Sequence, residues 1–231
     1  HLRRARGLQR IWRAAADGSE QEIGWLETSI ARGTRADAAV GGSAGQRDGA
    51  NAEPGLLVAL AARTTSPDGV TRVETRARYW VAFDLGAEAW SIRTTQKGIG
   101  PETHFSQIGI RARRTNGEPG RELIVSAQNE GTGAEPQNWQ VPPEAYLPQA
   151  LVIALGEALP RGTEATGDAM VYALDAKALR LCLRPIAWRT SADGGRELSV
   201  RVNPDAPPYQ ERWDAQGRRV DHVEPNGTHT T

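Results

Sequence analysis

PPEAYLPQALVIALGEALPRG, Pro142 to Gly162, holds the longest apolar run in the chain and sits among segments that read as strands. Pro148 suits the first turn of a helix, where its missing N–H costs nothing. At helical spacing Leu147, Leu151, Ala154, Leu155 and Ala158 form one stripe, and Val152, Ile153 and Leu159 extend the apolar surface around it. Gln149 and Glu157 are the only polar side chains between Pro148 and Pro160. A helix that is apolar all round is buried, not amphipathic. About a dozen residues also fall short of the ~20 that cross a bilayer. The sequence therefore predicts a helix over 148–159 enclosed on every side.

What encloses it is read from the turns. Asp17-Gly18, Asp68-Gly69, Asn116-Gly117, Asp193-Gly194 and Asn226-Gly227 each divide two strand-like runs, and Gln216-Gly217 marks another tight turn. Asn, Asp and Gly tolerate the positive φ of type I′ hairpin turns, so repeated pairs of this kind predict an antiparallel meander. The runs alternate. Val73, Thr75, Ala77, Tyr79, Val81 and Phe83 share one face, against Arg72, Glu74, Arg76 and Arg78 on the other. Ile108, Ile110 and Ala112 oppose Arg111 and Arg113, and Leu179, Leu181 and Leu183 oppose Arg180, Cys182 and Arg184. One apolar and one wet face suit an antiparallel sheet covered on a single side. The fold class that follows is mainly β: a strongly curved antiparallel meander, an incomplete barrel, wrapped around one short apolar helix. Residues 1–9 read as an N-terminal extension or fragment end and 10–231 as a single β-rich half-barrel domain. Residues 32–54, rich in Gly, Ala and charge without an aromatic, read as a disordered or mobile loop.

QRIWRAAADGSEQEIGWLETSI (Gln9–Ile30) resembles the opening hairpin of secreted bacterial envelope proteins: an aromatic strand, an Asp-Gly turn, then Ile-Gly-Trp. With the YLPQALVIALGEAL helix and a closing meander ending ERWDAQGRRVDHVEPNGT, the order of elements is similar to the lipoprotein-carrier (LolA/LolB-like) class of half barrels, over residues 10–31 and 70–231. The resemblance implies a periplasmic or envelope setting and an apolar ligand cavity. It places no functional residue.

Composition narrows the choice of function. In 231 residues, 28 basic and 28 acidic side chains cancel, which argues against a nucleic-acid partner. Cys182 is the single cysteine, so no internal disulfide forms. No stretch approaches the length of a transmembrane helix. The first residue is His1, which reads as a fragment or processed product, with any signal peptide already gone.

Catalytic signatures are weak. GGSAG (Gly41–Gly45) matches a nucleophile-elbow pattern but lacks a strand before it and a helix after it. His222 and His229 flank the Asn226-Gly227 turn, where a hairpin would bring them together; without a spaced third ligand they read as exposed hairpin side chains, not a metal site. Arg72, Arg76, Arg78, Arg111, Arg113 and Arg114 would form a basic stripe, either an anion or lipid-headgroup site or a solvated face neutralised by acids. No catalytic residue, metal or cofactor is assigned. Seven tryptophans against two phenylalanines suit the rim of an apolar cavity. Trp25, Tyr79, Trp90, Leu151 and Leu155 are expected to line it.

The leading expectation is a non-enzymatic envelope or periplasmic protein that holds a lipid, an acyl chain or a lipidated partner such as a lipoprotein in an apolar cavity. A structural or protein-interaction β module with a filled core is the alternative, and a hydrolase the third.

Overall fold

A computed structural model describes residues 5–15, 17–39, 52–129, 132–158 and 166–231. The strands are β1 (Ala5–Ala14), β2 (Glu20–Thr34), β3 (Pro54–Thr65), β4 (Arg72–Ala82), β5 (Glu88–Lys97), β6 (Thr103–Arg111), β7 (Glu122–Asn129), β8 (Thr132–Gly133) and β9 (Gln137–Gln140). After two short helical segments, α1 (Gln149–Ile153) and α2 (Leu155–Ala158), come β10 (Thr166–Asp175), β11 (Arg180–Thr190), β12 (Arg196–Val200), β13 (Tyr209–Trp213), β14 (Arg219–Val223) and β15 (His229–Thr230). All fifteen belong to one antiparallel sheet, ordered β10 to β15, then β1 to β8, with β9 also on β7. Chain neighbours pair from β1 to β8 and from β10 to β15, and the last strand returns to the first, Ile11 opposite Thr230.

The sheet does not close: β10 lies at one end of the order and β8 and β9 at the other. Yet α1 packs against β3, β4, β5 and β10. The two ends must therefore curl toward each other over the helix, which makes the meander an incomplete barrel. Residues 141–147, which follow β9, span the opening. Val141 N–H donates to the Arg121 carbonyl, and Ala145 and Leu147 exchange backbone hydrogen bonds with Tyr172 of β10.

Five hairpins share one turn. In Ala15–Ser19, Arg114–Glu118, Ser191–Gly195, Asp214–Arg218 and Glu224–Thr228, the fourth residue is a glycine at φ between +76° and +83° whose N–H donates to the first carbonyl. Among the described residues of these turns only the glycine has positive φ, which makes them type I turns with a glycine bulge, not the type I′ turns expected from the dipeptides. The Asp or Asn before the glycine caps the loop: Asp17, Asn116, Asp193 and Asn226 each accept from the backbone N–H two residues on.

Several boundaries move. β1 begins at Ala5 and pairs with β2, so the reading of 1–9 as an extension is too long at its inner end. β2 runs to Thr34 and a 3-10 turn follows at Arg35–Ala38, tied by Asp37 to the Thr34 N–H at 2.7 Å and hydroxyl at 2.9 Å. The early part of the 32–54 loop is thus ordered structure; residues 40–51, including the GGSAG match, lie outside the described residues. The turn covers the outer face of the sheet. There Trp80, fully buried, packs with Ala38, Ala82, Ala87, Ala89 and Leu57. Burial on both faces at this corner was not foreseen from the one-sided pattern.

The helix also differs from expectation. Ala154, at φ −102° and ψ 21°, separates α1 from α2. Ala150, Ala154, Leu155 and Gly156 are buried, whereas Leu151, Val152 and Ile153 are only half-buried. The segment is covered on one side and not on all.

Candidate functional site

Register settles which side chains face the barrel interior. Ile30, Val58, Tyr79 and Trp90 are directly opposite one another across β2, β3, β4 and β5, and all four belong to the main buried cluster with Leu123, Val125, Ala150, Ala154 and Leu174. A second cluster gathers Leu155, Ile186, Leu198, Val200 and Trp213. Two glycines permit close approach. A Cβ on Gly109 would lie 2.0 Å from the Trp90 ring, and one on Gly156 would lie 1.6 Å from that of Trp213.

Four of the five residues expected to line a cavity point inward. Tyr79 and Trp90 are buried in the main cluster, half-buried Leu151 packs on it, and Leu155 sits in the second. Burial pushes the Tyr79 phenol up to about 12. Trp25 does not belong. Its strand sends Leu26, Thr28 and Ile30 inward, so Trp25 faces outward between Arg10 and Arg63, at 36 % exposure. Its place in the chain near an apolar strand end carried no information about parity, and a one-residue step changes face.

The same parity overturns the reading of β6 and qualifies that of β11. In β6 the inward residues are Phe105, Gln107, Gly109 and Arg111, while Ile108 is 53 % exposed. In β11, Leu181 lies opposite Leu174 and packs with Leu179 on the main cluster as expected, but Cys182, Arg184 and Ile186 are the buried residues and Leu181 and Leu183 only half-buried. Polar side chains turn inward here because they tie the ends of the open sheet together. Gln107 accepts from Trp90 Nε1 at 3.2 Å and donates to the Ala176 carbonyl at 2.9 Å. Gln149 Nε2 and Arg184 Nη2 both donate to the Leu174 carbonyl, at 2.7 and 3.0 Å. The β10–β11 hairpin is thus held to β6 and α1 by side chains in place of a strand ladder.

Beside this seam lies a buried ion pair, Glu88 and Arg111, each side chain 1 % exposed. Arg111 donates to Glu88 at 3.1 Å, to the Gly120 carbonyl at 3.0 Å and to the Leu85 carbonyl at 2.7 Å. The other Glu88 oxygen accepts from Gln149 N–H at 2.9 Å and so caps α1 from a neighbouring strand. Arg111 stacks 5.0 Å above the Tyr146 ring. Burial raises the Glu88 carboxyl above its usual value, against the opposing pull of Arg111. Burial, then the Glu88 charge, holds the Tyr146 phenol well above its own.

Toward the opposite end of the strands the inner wall is less covered. Leu26, Thr28, Leu60, Ala62, Thr75, Ile92, Thr94 and Phe105 face inward by register and are half-buried. A recess of about 270 Å³ opens there among Thr94, Gln96, Thr103, Phe105 and Asn129. The mouth is apolar and threonine-rich.

The histidines do not form a metal centre. His222 pairs with Thr230 and His229 with Val223, so the two rings face opposite sides of the sheet. Both are largely covered, not exposed as expected: 17 % and 21 % of their side chains are accessible. His222 holds Glu211 at 3.0 Å and Glu224 at 2.9 Å, one from each ring nitrogen. Burial would lower its pKa, but these two carboxylates outweigh it and raise it to about 9. An imidazolium donating from both nitrogens has no lone pair for a metal. Among the described residues no group of three or more His, Cys, Asp or Glu side chains is placed to bind one, and no helix is long and apolar enough to cross a membrane.

No family model matches this sequence, and no curated protein matches it. Among solved structures, the fold is similar to a crystal structure of a β-barrel-like protein of the domain of unknown function DUF1849 from Brucella abortus. The TM-score is 0.51 with 10% sequence identity, over 98% of this chain and 94% of that one. At that identity the likeness concerns fold alone. It covers nearly the whole length of both chains, and a mainly β, barrel-like antiparallel meander is what the two share.

Proposed function

We propose that this protein is a non-enzymatic carrier of the bacterial envelope that holds an acyl chain, free or on a lipidated partner, against the half-covered inner wall of its barrel. The observation that carries the reading is that wall: Leu26, Leu60, Ile92 and Phe105 face the interior yet stay half-buried, because the helix reaches only the other end of the strands. Half-exposed Leu151 and Ile153 border the same interior from the helix side. Burying an acyl chain supplies about 0.8 kcal/mol per CH₂. About ten methylenes would yield ~8 kcal/mol, against an association cost of roughly 4–15 kcal/mol. Ten methylenes thus leave at most about 4 kcal/mol, and longer chains add to it, which keeps binding reversible, as a protein that hands its ligand on requires. The LolA/LolB-like order of elements and the periplasmic setting are part of this proposal.

The test is native mass spectrometry of protein purified without detergent, combined with displacement of a fluorescent fatty acid. A bound lipid, or displacement that Leu60→Trp weakens by filling the wall, is the expected result. No co-purifying lipid and no displacement would leave the second reading, an interaction module with a filled core. That reading draws on the dense packing of Trp90, Leu123 and Leu174 beneath the helix.

A further inference from the structure

On the outer face of the sheet, away from the helix, the six arginines of the sequence stripe meet different fates. Arg111 points inward to Glu88; Arg113 pairs with Glu53 and Asp84, and Arg114 with Glu118. Arg72 is taken by Glu74 at 3.3 Å. Arg76 and Arg78 remain outward on β4, and a residue outside the stripe, Arg93 of β5, joins them. Arg76 is directly opposite Arg93 in the β4–β5 register.

Like charges facing each other across strands destabilise a sheet unless something neutralises them. Among the described residues neither Arg76 nor Arg93 has a hydrogen bond or ion pair, and both are exposed. The nearby acids are committed elsewhere: Glu27 to Arg6 and Glu74 to Arg72. On the next row Arg78 donates to the Asp37 carbonyl at 3.3 Å, which leaves its charge uncompensated. The floor between these arginines is small. Ala61 is opposite Arg76, and Ala59 is opposite both Arg78 and Ser29. Short side chains beside long ones leave a groove of about 580 Å³, walled by Arg76, Arg78 and Arg93 and reaching Glu27, Glu74 and Thr95. That volume lies within the ~300–1,000 Å³ typical of small-molecule sites.

We infer that this groove binds a phosphate ester, with the guanidinium forks of Arg76 and Arg93 clamping the phosphate and Arg78 contacting it from the neighbouring row. Guanidinium is the group suited to bidentate phosphate recognition. The phosphate then occupies the place between two facing cations that the chain leaves without an anion. The site is on the opposite face of the sheet from the acyl-chain wall and does not depend on it. Its ligand is a soluble phosphate ester or the headgroup of an anionic phospholipid.

The experiment uses the whole chain. Glycerol 3-phosphate serves as the soluble probe, followed by calorimetry and thermal shift. Phosphatidylcholine vesicles with and without phosphatidylglycerol serve as the lipid probe, followed by co-flotation. Arg76→Gln and Arg93→Gln should each weaken binding about tenfold, the effect of losing one charge-assisted contact. The double variant should abolish it. The double variant should also melt no lower than the unaltered protein without ligand, since it removes the facing charges; this separates lost binding from lost folding. Arg114→Gln, which lowers net charge equally but lies outside the groove, should bind normally. Binding of glycerol 3-phosphate identifies a soluble ester. Capture by phosphatidylglycerol vesicles alone identifies a headgroup. Failure of both probes, unchanged binding in the double variant, or equal weakening by Arg114→Gln would each overturn the inference.

Discussion

Replacing Arg111 by Met should be among the most damaging single changes in this protein. The guanidinium holds three acceptors at once: the Glu88 carboxylate and the carbonyls of Leu85 and Gly120. Methionine fills similar space and donates nothing. Breaking a buried ion pair by removing one partner costs about 3–5 kcal/mol, and each buried carbonyl left without a donor adds roughly 1 kcal/mol or more. A loss near 5 kcal/mol corresponds to a fall of about 10–20 °C in melting temperature for a chain of this size. Glu88→Leu alone should also be costly, because it leaves a buried guanidinium. The double variant Glu88→Leu/Arg111→Met should recover about 2–3 kcal/mol of the summed loss, since no charge is then left unpaired. The pH dependence has a definite sign. Burial already raises the Glu88 carboxyl, and without Arg111 it rises further. A carboxyl whose folded pKa exceeds its unfolded value favours the folded state at low pH and loses that advantage as pH rises. The deficit of Arg111→Met should therefore widen from about pH 5 to pH 8. Urea unfolding of the single and double variants at both pH values measures all of this. Additive losses, or a cost below about 1 kcal/mol for Arg111→Met, would refute the reasoning.

Three further outcomes follow from local features. The His222 pKa, raised to about 9 from an ordinary 6.5, gives stability that is complete below the unfolded pKa and is lost as pH climbs toward 9. His222→Gln should flatten that slope, worth at most about 3 kcal/mol, in melting curves taken between those limits. Leu85 adopts φ 61° in the β4–β5 turn while 42% exposed, so Leu85→Gly should raise stability by up to about 1 kcal/mol, read as a higher urea midpoint. Gly109→Ala should lower stability by about 1–3 kcal/mol through overpacking, with a shift in tryptophan emission, because its Cβ would meet the Trp90 ring at 2.0 Å.

Much of this architecture was legible. The glycine-marked turns located every hairpin they were used for, and strand β4 was read with the correct face inward, Val73 to Val81 against Arg72 to Arg78. The apolar run was placed correctly as a short helix against the sheet. Failure came where alternation met a polar interior. In β6 the isoleucines suggested an inward face, yet Gln107 and Arg111 occupy it; in β11 the leucines suggested one, yet Cys182 and Arg184 are the more deeply buried. A hydrophobicity pattern assumes that polar side chains seek water. It has no means of showing that Gln107 and Gln149 find carbonyls waiting across a gap in the barrel, because those partners are 69 and 25 residues away along the chain, nor that Arg184 finds one inside its own hairpin. Trp25 failed more simply: its type suited a cavity, but only the register with β3 revealed its face.

The polar seam also has a physical rationale in what an open barrel lacks. Along a strand ladder, backbone hydrogen bonds fix register, and a slip of one residue reverses every side chain. Between β6 and the β10–β11 hairpin no ladder exists. Apolar packing there would set the separation of the two parts but would tolerate sliding, since leucine on leucine contact is much the same one notch along. Each amide or guanidinium directed at one carbonyl permits a single position, because a buried donor that misses its acceptor costs about 1–3 kcal/mol. Gln107 on Ala176, Gln149 on Leu174, and Glu88 on Gln149 N–H together locate the hairpin, the helix and the sheet relative to one another. On this argument the Glu88→Leu/Arg111→Met variant, although less destabilised than the two single losses summed, should define the start of α1 less sharply. Amide NMR signals from Gln149 to Ile153 would then broaden or double, while those of β2 to β4 stay as they were.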